Sequence, residues 1–203
     1  MKLFWGTIRT VAFGFGLLLI VGIGGSAARA DEVTLSGSTT FLNSAPFVTF
    51  TSNTFTGTTA LGIGSLSGAN SLGTFSLATG ATQITGGAFQ LDITFTSPTG
   101  IAGGQGATYT ATILGSVSPN IDQGGVNVHF LNPTQTFTFN DGTNSGSFSL
   151  TVADLFVQTG RSANLTAGFT GAQQAAVPEP TTLLLLGSGI TGLAAKLRRR
   201  RRK

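Results

Sequence analysis

Apolar and polar residues alternate with a period of two through the middle of the chain. The clearest run places four apolar residues on one side of a segment and four polar residues on the other: Phe89, Leu91, Ile93 and Phe95 against Gln90, Asp92, Thr94 and Thr96. Similar runs lie at Tyr109–Ile113, Val126–Phe130 and Leu165–Phe169. Such alternation predicts strands with one buried face, and residues 31–176 contain no comparable helical stripe.

Two further apolar runs are separated by Asn140-Asp141-Gly142, which are typical turn residues. The apolar residues are Phe137 and Phe139 before the turn, and Phe148, Leu150 and Val152 after it. This spacing predicts a β-hairpin. Earlier strands are expected within Val33–Phe41, Phe47–Phe55 and Leu72–Ala78.

Turn-rich segments separate the predicted strands at Thr79–Gly87, Ser97–Gly106, Ser118–Gly125 and Asn140–Gly146. Many strands without helices predict an all-β fold, an antiparallel β-sandwich of about eight to ten strands, jelly-roll-like or immunoglobulin-like. Of the 16 phenylalanines, 13 lie in residues 31–176 and can supply its core. A Gly- and Thr-rich repeat stack is the competing architecture, but the sequence has no fixed period.

The first 30 residues have the three-part layout of a secretory signal peptide. A short basic segment, Met1–Arg9, precedes an apolar one, Val11–Gly25, and Ala28-Arg29-Ala30 follows. Ala28 and Ala30 supply the small side chains that signal peptidase requires. We therefore expect an N-terminal signal helix in residues 1–30, cleaved so that the mature chain begins at Asp31; a retained membrane anchor is the alternative.

The charge distribution separates the two ends from the middle. Ten of the 11 basic residues lie in the first 30 or the last eight positions. Residues 31–176 contain one arginine and six carboxylates, a net charge of −5. This excludes a basic nucleic-acid footprint on the domain. With no cysteine and one histidine, the chain also lacks the residues for disulfides, thiolate metal sites or a histidine cluster.

The C-terminal segment, residues 177–203, combines a proline-containing motif, a short apolar stretch and a basic tail. The motif is Val177, Pro178, Glu179 and Pro180, and the apolar stretch runs from Thr181 to Ala195. The basic residues are Lys196, Arg198, Arg199, Arg200, Arg201, Arg202 and Lys203. The apolar stretch predicts a C-terminal transmembrane helix. The basic residues predict that this tail lies on the cytoplasmic side and the preceding domain outside.

This three-part segment resembles the PEP-CTERM sorting signal, with the motif at Val177–Pro180 and the Arg-rich tail at Arg198–Lys203. The resemblance covers about the last 27 residues. It implies recognition by an exosortase, removal of the tail and transfer to the cell envelope or extracellular matrix. It also implies a bacterium that makes exopolysaccharide or biofilm. The expected partners are therefore exosortase and exopolysaccharide, in addition to the signal peptidase expected from residues 1–30.

The middle domain offers little catalytic chemistry, and we predict neither a catalytic site nor a cofactor. His129 lies opposite Val128 and Phe130 in its strand and is expected to be exposed. The oxygen-rich turns around Asp122 and Asp141 could hold calcium, but hairpin turns explain them without a metal. The acidic residues available to a hydrolase, with no motif joining any pair, are Asp92, Asp122, Asp141 and Asp154.

The expected function is therefore that of an exported, non-enzymatic protein with a structural or adhesive role in exopolysaccharide. A surface module that binds glycan, calcium or ice is the alternative. For ice binding, the sequence offers short outward Thr rows at Thr94–Thr96 and Thr108–Thr112, although Thr is also a common exposed strand residue.

Overall fold

The computed structural model describes residues 32–175, together with Gly187 and Ile190, which are helical. The expected signal helix of residues 1–30 lies outside the described residues, and so does nearly all of the expected C-terminal helix. Within the described part, no helix combines the length and apolar character needed to cross a bilayer.

The described domain consists of β-strands and one short 3₁₀ helix at Gly68–Asn70. Its 13 strands are β1 (Thr34–Asn43), β2 (Val48–Ser52), β3 (Thr54–Thr58), β4 (Ile63–Leu66), β5 (Gly73–Leu77), β6 (Thr82–Ser97), β7 (Gly106–Val117), β8 (Gly124–Phe130), β9 (Thr134–Asn140), β10 (Asn144–Val152), β11 (Leu155–Gln158), β12 (Ser162–Leu165) and β13 (Ala167–Ala175).

The strands form three sheets in which every recorded pairing is antiparallel. The largest sheet has the order β11-β8-β7-β6-β1-β3, the second β4-β13-β10-β9 and the third β12-β5-β2. The two smaller sheets both pack against the six-stranded one, through ring contacts with its strand β6. Strands β12 and β13, separated by Thr166 alone, join the two smaller sheets. The predicted all-β antiparallel sandwich is confirmed, with a curled main sheet.

Phenylalanines from both layers fill the space between them, as their number in the sequence predicted. The ring of Phe89 on β6 lies 4.8 Å from Phe75 and 5.3 Å from Phe50, both on the three-stranded sheet. Further along the same strand, Phe95 lies 5.3 Å from Phe137 and 5.4 Å from Phe148 of the four-stranded sheet. Strand β6 therefore contributes core side chains beneath both smaller sheets.

The structure has more strands than the eight to ten predicted, because the predicted strands Phe47–Phe55 and Leu165–Phe169 each divide between two sheets and because β4 and β11 were not predicted. The segment Phe47–Phe55 divides at Asn53: β2 pairs with β5 and β3 pairs with β1. The side-chain amide of Asn53 donates to the carbonyl oxygens of Ala69 and Ser71, both at 2.9 Å. These bonds stabilise the chain at the point where the two strands separate. The predicted turn at Thr79–Gly87 was also wrong in extent, because β6 already begins at Thr82.

The outward faces of all three sheets carry hydroxyl side chains that bond to each other across neighbouring strands. Such pairs, at 2.7–2.9 Å, occur in each sheet: Thr34–Thr58 and Ser36–Thr96, Thr134–Thr151 and Thr136–Ser149, and Ser76–Ser162. Cross-strand pairs of this kind add modestly to sheet stability. They also give the domain a polar surface with few charges.

Candidate functional site

The predicted processing residues lie outside the described part of the chain. This applies to Ala28 and Ala30, to Val177–Pro180, and to Lys196 and Arg198–Lys203. The structure instead shows where the chain enters and leaves the folded domain, which are the points adjoining the two predicted cleavage regions.

The entry point is Glu32, whose carboxylate is bound by a turn of the protein. It accepts hydrogen bonds from the Thr59 hydroxyl at 2.5 Å, the Leu61 N–H at 2.8 Å and the Gly62 N–H at 3.4 Å. These bonds, above all the one from Thr59, hold the pKa of Glu32 below its ordinary value because they stabilise the charged form. The predicted mature chain is thus fastened to the domain at its second residue.

The exit point is strand β13, which ends at Ala175 opposite Asn144 of β10. On its other side β13 pairs with β4, and the Gly171 N–H donates to the Gly62 carbonyl oxygen at 3.0 Å. Gly62 belongs to the same turn that binds Glu32. The chain therefore enters and leaves the domain at one end of the sandwich.

His129 is exposed, as the alternation predicted, but it has a partner that the sequence did not reveal. Its Nδ1 lies 2.6 Å from Oδ2 of Asp154, and the Phe130 N–H donates to Oδ1 at 2.8 Å. Burial opposes the charge of Asp154, yet these bonds keep its pKa below the ordinary value. The carboxylate orients the imidazole, but within residues 32–175 no hydroxyl group is hydrogen-bonded to that ring.

The two turns considered for calcium use their carboxylates in protein contacts. Arg161 donates to both oxygens of Asp122, at 2.6 and 2.7 Å. Asp141 accepts from the N–H groups of Thr143 and Asn144, at 2.8 and 2.6 Å, as hairpin turns require. These bonds lower the pKa of both carboxyl groups. Among the described residues, no group of three or more metal-ligating side chains comes together.

Asp92 and the predicted Thr rows share the outer face of the six-stranded sheet. Asp92 accepts from the Gln90 amide at 2.9 Å and the Thr108 hydroxyl at 2.6 Å. Beside them lies a shallow groove of about 470 Å³ between the exposed side chains of Leu42 and Leu131. Its floor includes the uncharged polar side chains of Gln90 and Thr110.

Comparison with known proteins identifies one segment. Residues 176–202 match the family model of the PEP-CTERM protein-sorting motif, which includes the whole of Val177–Pro180. Searches of curated proteins and of solved structures gave no match to this chain. The β-sandwich is thus joined, one residue after its last strand, to a recognised sorting segment. The chain carries a PEP-CTERM sorting motif and is thereby marked as an extracellular protein that an exosortase sorts.

Proposed function

We propose that this chain is an exported, non-enzymatic protein of the cell envelope or extracellular matrix, with a structural or adhesive role in exopolysaccharide. The observation that carries the proposal is the PEP-CTERM motif at residues 176–202. Signal peptidase cleaves after Ala30, the C-terminal segment holds the chain in the inner membrane, and exosortase then removes the tail. The basic residues from Lys196 onward keep that tail cytoplasmic until cleavage.

The surface chemistry supports a role among polysaccharides. Residues 32–175 contain six charged side chains, five of them acidic, and their sheet faces are covered by Ser and Thr. Hydroxyl and amide groups exchange hydrogen bonds with sugar hydroxyls as readily as with water. A surface of this kind can lie within a hydrated polysaccharide without the electrostatic attraction that basic proteins have for anionic polymers.

The bonding of the acidic residues supports a non-enzymatic role. Asp122, Asp141 and Asp154 each fasten a turn or a strand end through two or more hydrogen bonds. Asp92 bonds to two neighbours on an open sheet face. Each carboxylate thus has a structural use that needs no reaction to explain it.

Replacement of Pro178, Glu179 and Pro180 by alanine tests the proposal. The variant loses the recognition element but keeps the apolar segment and the basic tail, so it should still insert with its domain outside. It should then remain in the membrane at its untrimmed mass. The matched control, Thr181→Ala with Thr182→Ala, changes neighbouring residues and leaves Val177–Pro180 intact, so it should be trimmed normally.

Fractionation of membrane, matrix and medium, with intact mass, measures both variants. Normal trimming of the alanine variant would mean that Val177–Pro180 is a linker and that the sorting proposal is wrong. In cells that make no exopolysaccharide, trimmed wild-type protein should move from the matrix fraction into the medium. An unchanged distribution there would contradict the matrix role.

A further inference from the structure

The end of the sandwich from which the chain exits carries two exposed apolar side chains, Leu61 and Ile63, here called the apolar tip. Their residues are 96% and 68% exposed, and Leu61 is the most exposed large apolar residue of the described domain. Exposing one leucine is common. The backbone around this one, and its position, distinguish it from the others.

The tip is formed by a two-residue hairpin turn whose first residue, Leu61, suits it poorly. Leu61 and Gly62 have φ of 55° and 80°, and Ala60 and Ile63 bridge the two sides of the turn. Turns with two positive φ values favour Asn-Gly, because the Cβ of other residues is crowded in this conformation. The Leu61 and Gly62 N–H groups donate to the Glu32 carboxylate, and these bonds hold the turn in place. A disfavoured residue is therefore held rigidly with its apolar side chain in solvent.

The tip also points in the direction in which the chain leaves the domain. Strands β4 and β13 are antiparallel, with Ile63 opposite Thr170, so the turn before β4 lies toward the C-terminal end of β13. Beyond Ala175, residues 176–180 separate that strand from the apolar segment Thr181–Ala195. Five extended residues span at most about 18 Å. This limit applies to Ala175, whereas the tip lies beside Gly171. The nine residues 172–180 span at most about 32 Å, so an anchored chain keeps the tip within that distance of the bilayer.

We propose that the apolar tip inserts into the lipid surface and holds the domain against the membrane while the C-terminal segment is anchored. This inference rests on the proposed function, which supplies the anchored intermediate. The contact is apolar: Arg161, the one basic residue of the described domain, is paired with Asp122. Contact at the tip would present residues 177–180 to a membrane enzyme at a constant distance from the lipid surface.

The absence of cysteine from the chain allows single labels to test the contact. Leu61→Cys, Leu131→Cys and Leu185→Cys variants of the chain from Asp31 onward, the form left by the proposed signal-peptidase cleavage, each receive an environment-sensitive fluorophore. They are reconstituted into vesicles of phosphatidylethanolamine and phosphatidylglycerol that contain nitroxide-labelled lipid. We expect loss of fluorescence at positions 61 and 185. The control at position 131, an exposed leucine on the six-stranded sheet side, should keep its signal.

The outcomes separate the two proposals. Quenching at position 185 with position 61 behaving like position 131 would overturn the tip contact and leave the anchor intact. No quenching at position 185 would overturn both, because the chain would then have no anchored intermediate. Quenching at position 61 that disappears in high salt would also contradict the proposal, since salt does not weaken an apolar contact.

A second variant separates lipid contact from folding. Leu61→Asn introduces the residue that this turn favours, so the domain should unfold at the same or a higher denaturant concentration. With the label on Ile63→Cys, Leu61→Asn should nevertheless reduce quenching by lipid. Leu131→Asn, in the same labelled background, should not. Full quenching in the stable Leu61→Asn variant would overturn the tip contact.

Discussion

At the scale of single residues, carboxylates in this domain act as acceptors that hold backbone turns in place. Glu32 binds two N–H groups of the turn at Leu61–Gly62, and Asp141 binds two in its own hairpin. Each of these bonds requires the ionised carboxylate.

The pH dependence of stability should therefore depend on Glu32. Its pKa in the folded protein lies below the unfolded value of about 4.3, mainly because of the Thr59 hydroxyl. The stabilisation is present above the unfolded pKa and is lost as the pH falls through the folded pKa. Glu32→Gln should show a shallower fall of the unfolding midpoint between about pH 5 and pH 3.

Denaturant unfolding at a series of pH values measures this effect. The control Thr94→Gln changes an exposed residue on the outer face of β6 and should leave the pH dependence unchanged. A Glu32→Gln profile that superimposes on the wild-type profile would show that the carboxylate does not stabilise the turn.

At the scale of elements, glycines allow one aromatic ring to join two sheets. The Phe169 ring on β13 lies over Gly64 of β4 and Gly57 of β3, where an added Cβ would overlap neighbouring side chains. Gly57 belongs to the six-stranded sheet and Gly64 to the four-stranded one. Both strands are short, and the absence of a side chain at Gly57 and Gly64 is what lets the Phe169 ring pack against both.

Gly64→Ala should destabilise the domain by about 1–3 kcal/mol, because the new methyl group forces the Phe169 ring to move. Gly168→Ala is the matched control. Gly168 adjoins the same phenylalanine on β13, but its added Cβ would meet no atom within 4 Å. Its effect should stay within about 0.5 kcal/mol. Equal unfolding midpoints for the two variants would contradict the role assigned to the ring.

At the scale of the whole molecule, the basic ends and the acidic domain give processing a measurable signature. A product that begins at Asp31 and lacks the tail retains the net charge of −5 of residues 31–176, altered only by motif residues left after trimming. It should focus at acidic pH, whereas the full sequence has an isoelectric point near 10.4.

Intact mass and isoelectric focusing of the secreted protein test this expectation. Protein from cells without exosortase should retain Arg198–Arg202 and focus at a higher pH. A secreted wild-type product that retains both Trp5 and Arg198–Arg202 would contradict processing at both ends.

The period-two pattern determined which residues of the long strands face the core, because neighbouring side chains of a strand point to opposite sides. It predicted the inward set from Phe89 to Phe95 and the hairpin across Asp141, in agreement with the structure. The sorting segment was equally readable, since its parts are contiguous and need no fold to bring them together.

The tertiary structure alone decided which distant residues meet. Asp154 reaches His129, Arg161 reaches Asp122, and Glu32 reaches the turn at Leu61 because strands far apart in sequence lie side by side. The division of one predicted strand at Asn53 has the same origin, since each half pairs with a different sheet. Strand order and pairing depend on the packing of whole layers, which local alternation does not specify. The apolar tip lies near the points where the chain enters and leaves the domain, and this position became visible only in the fold.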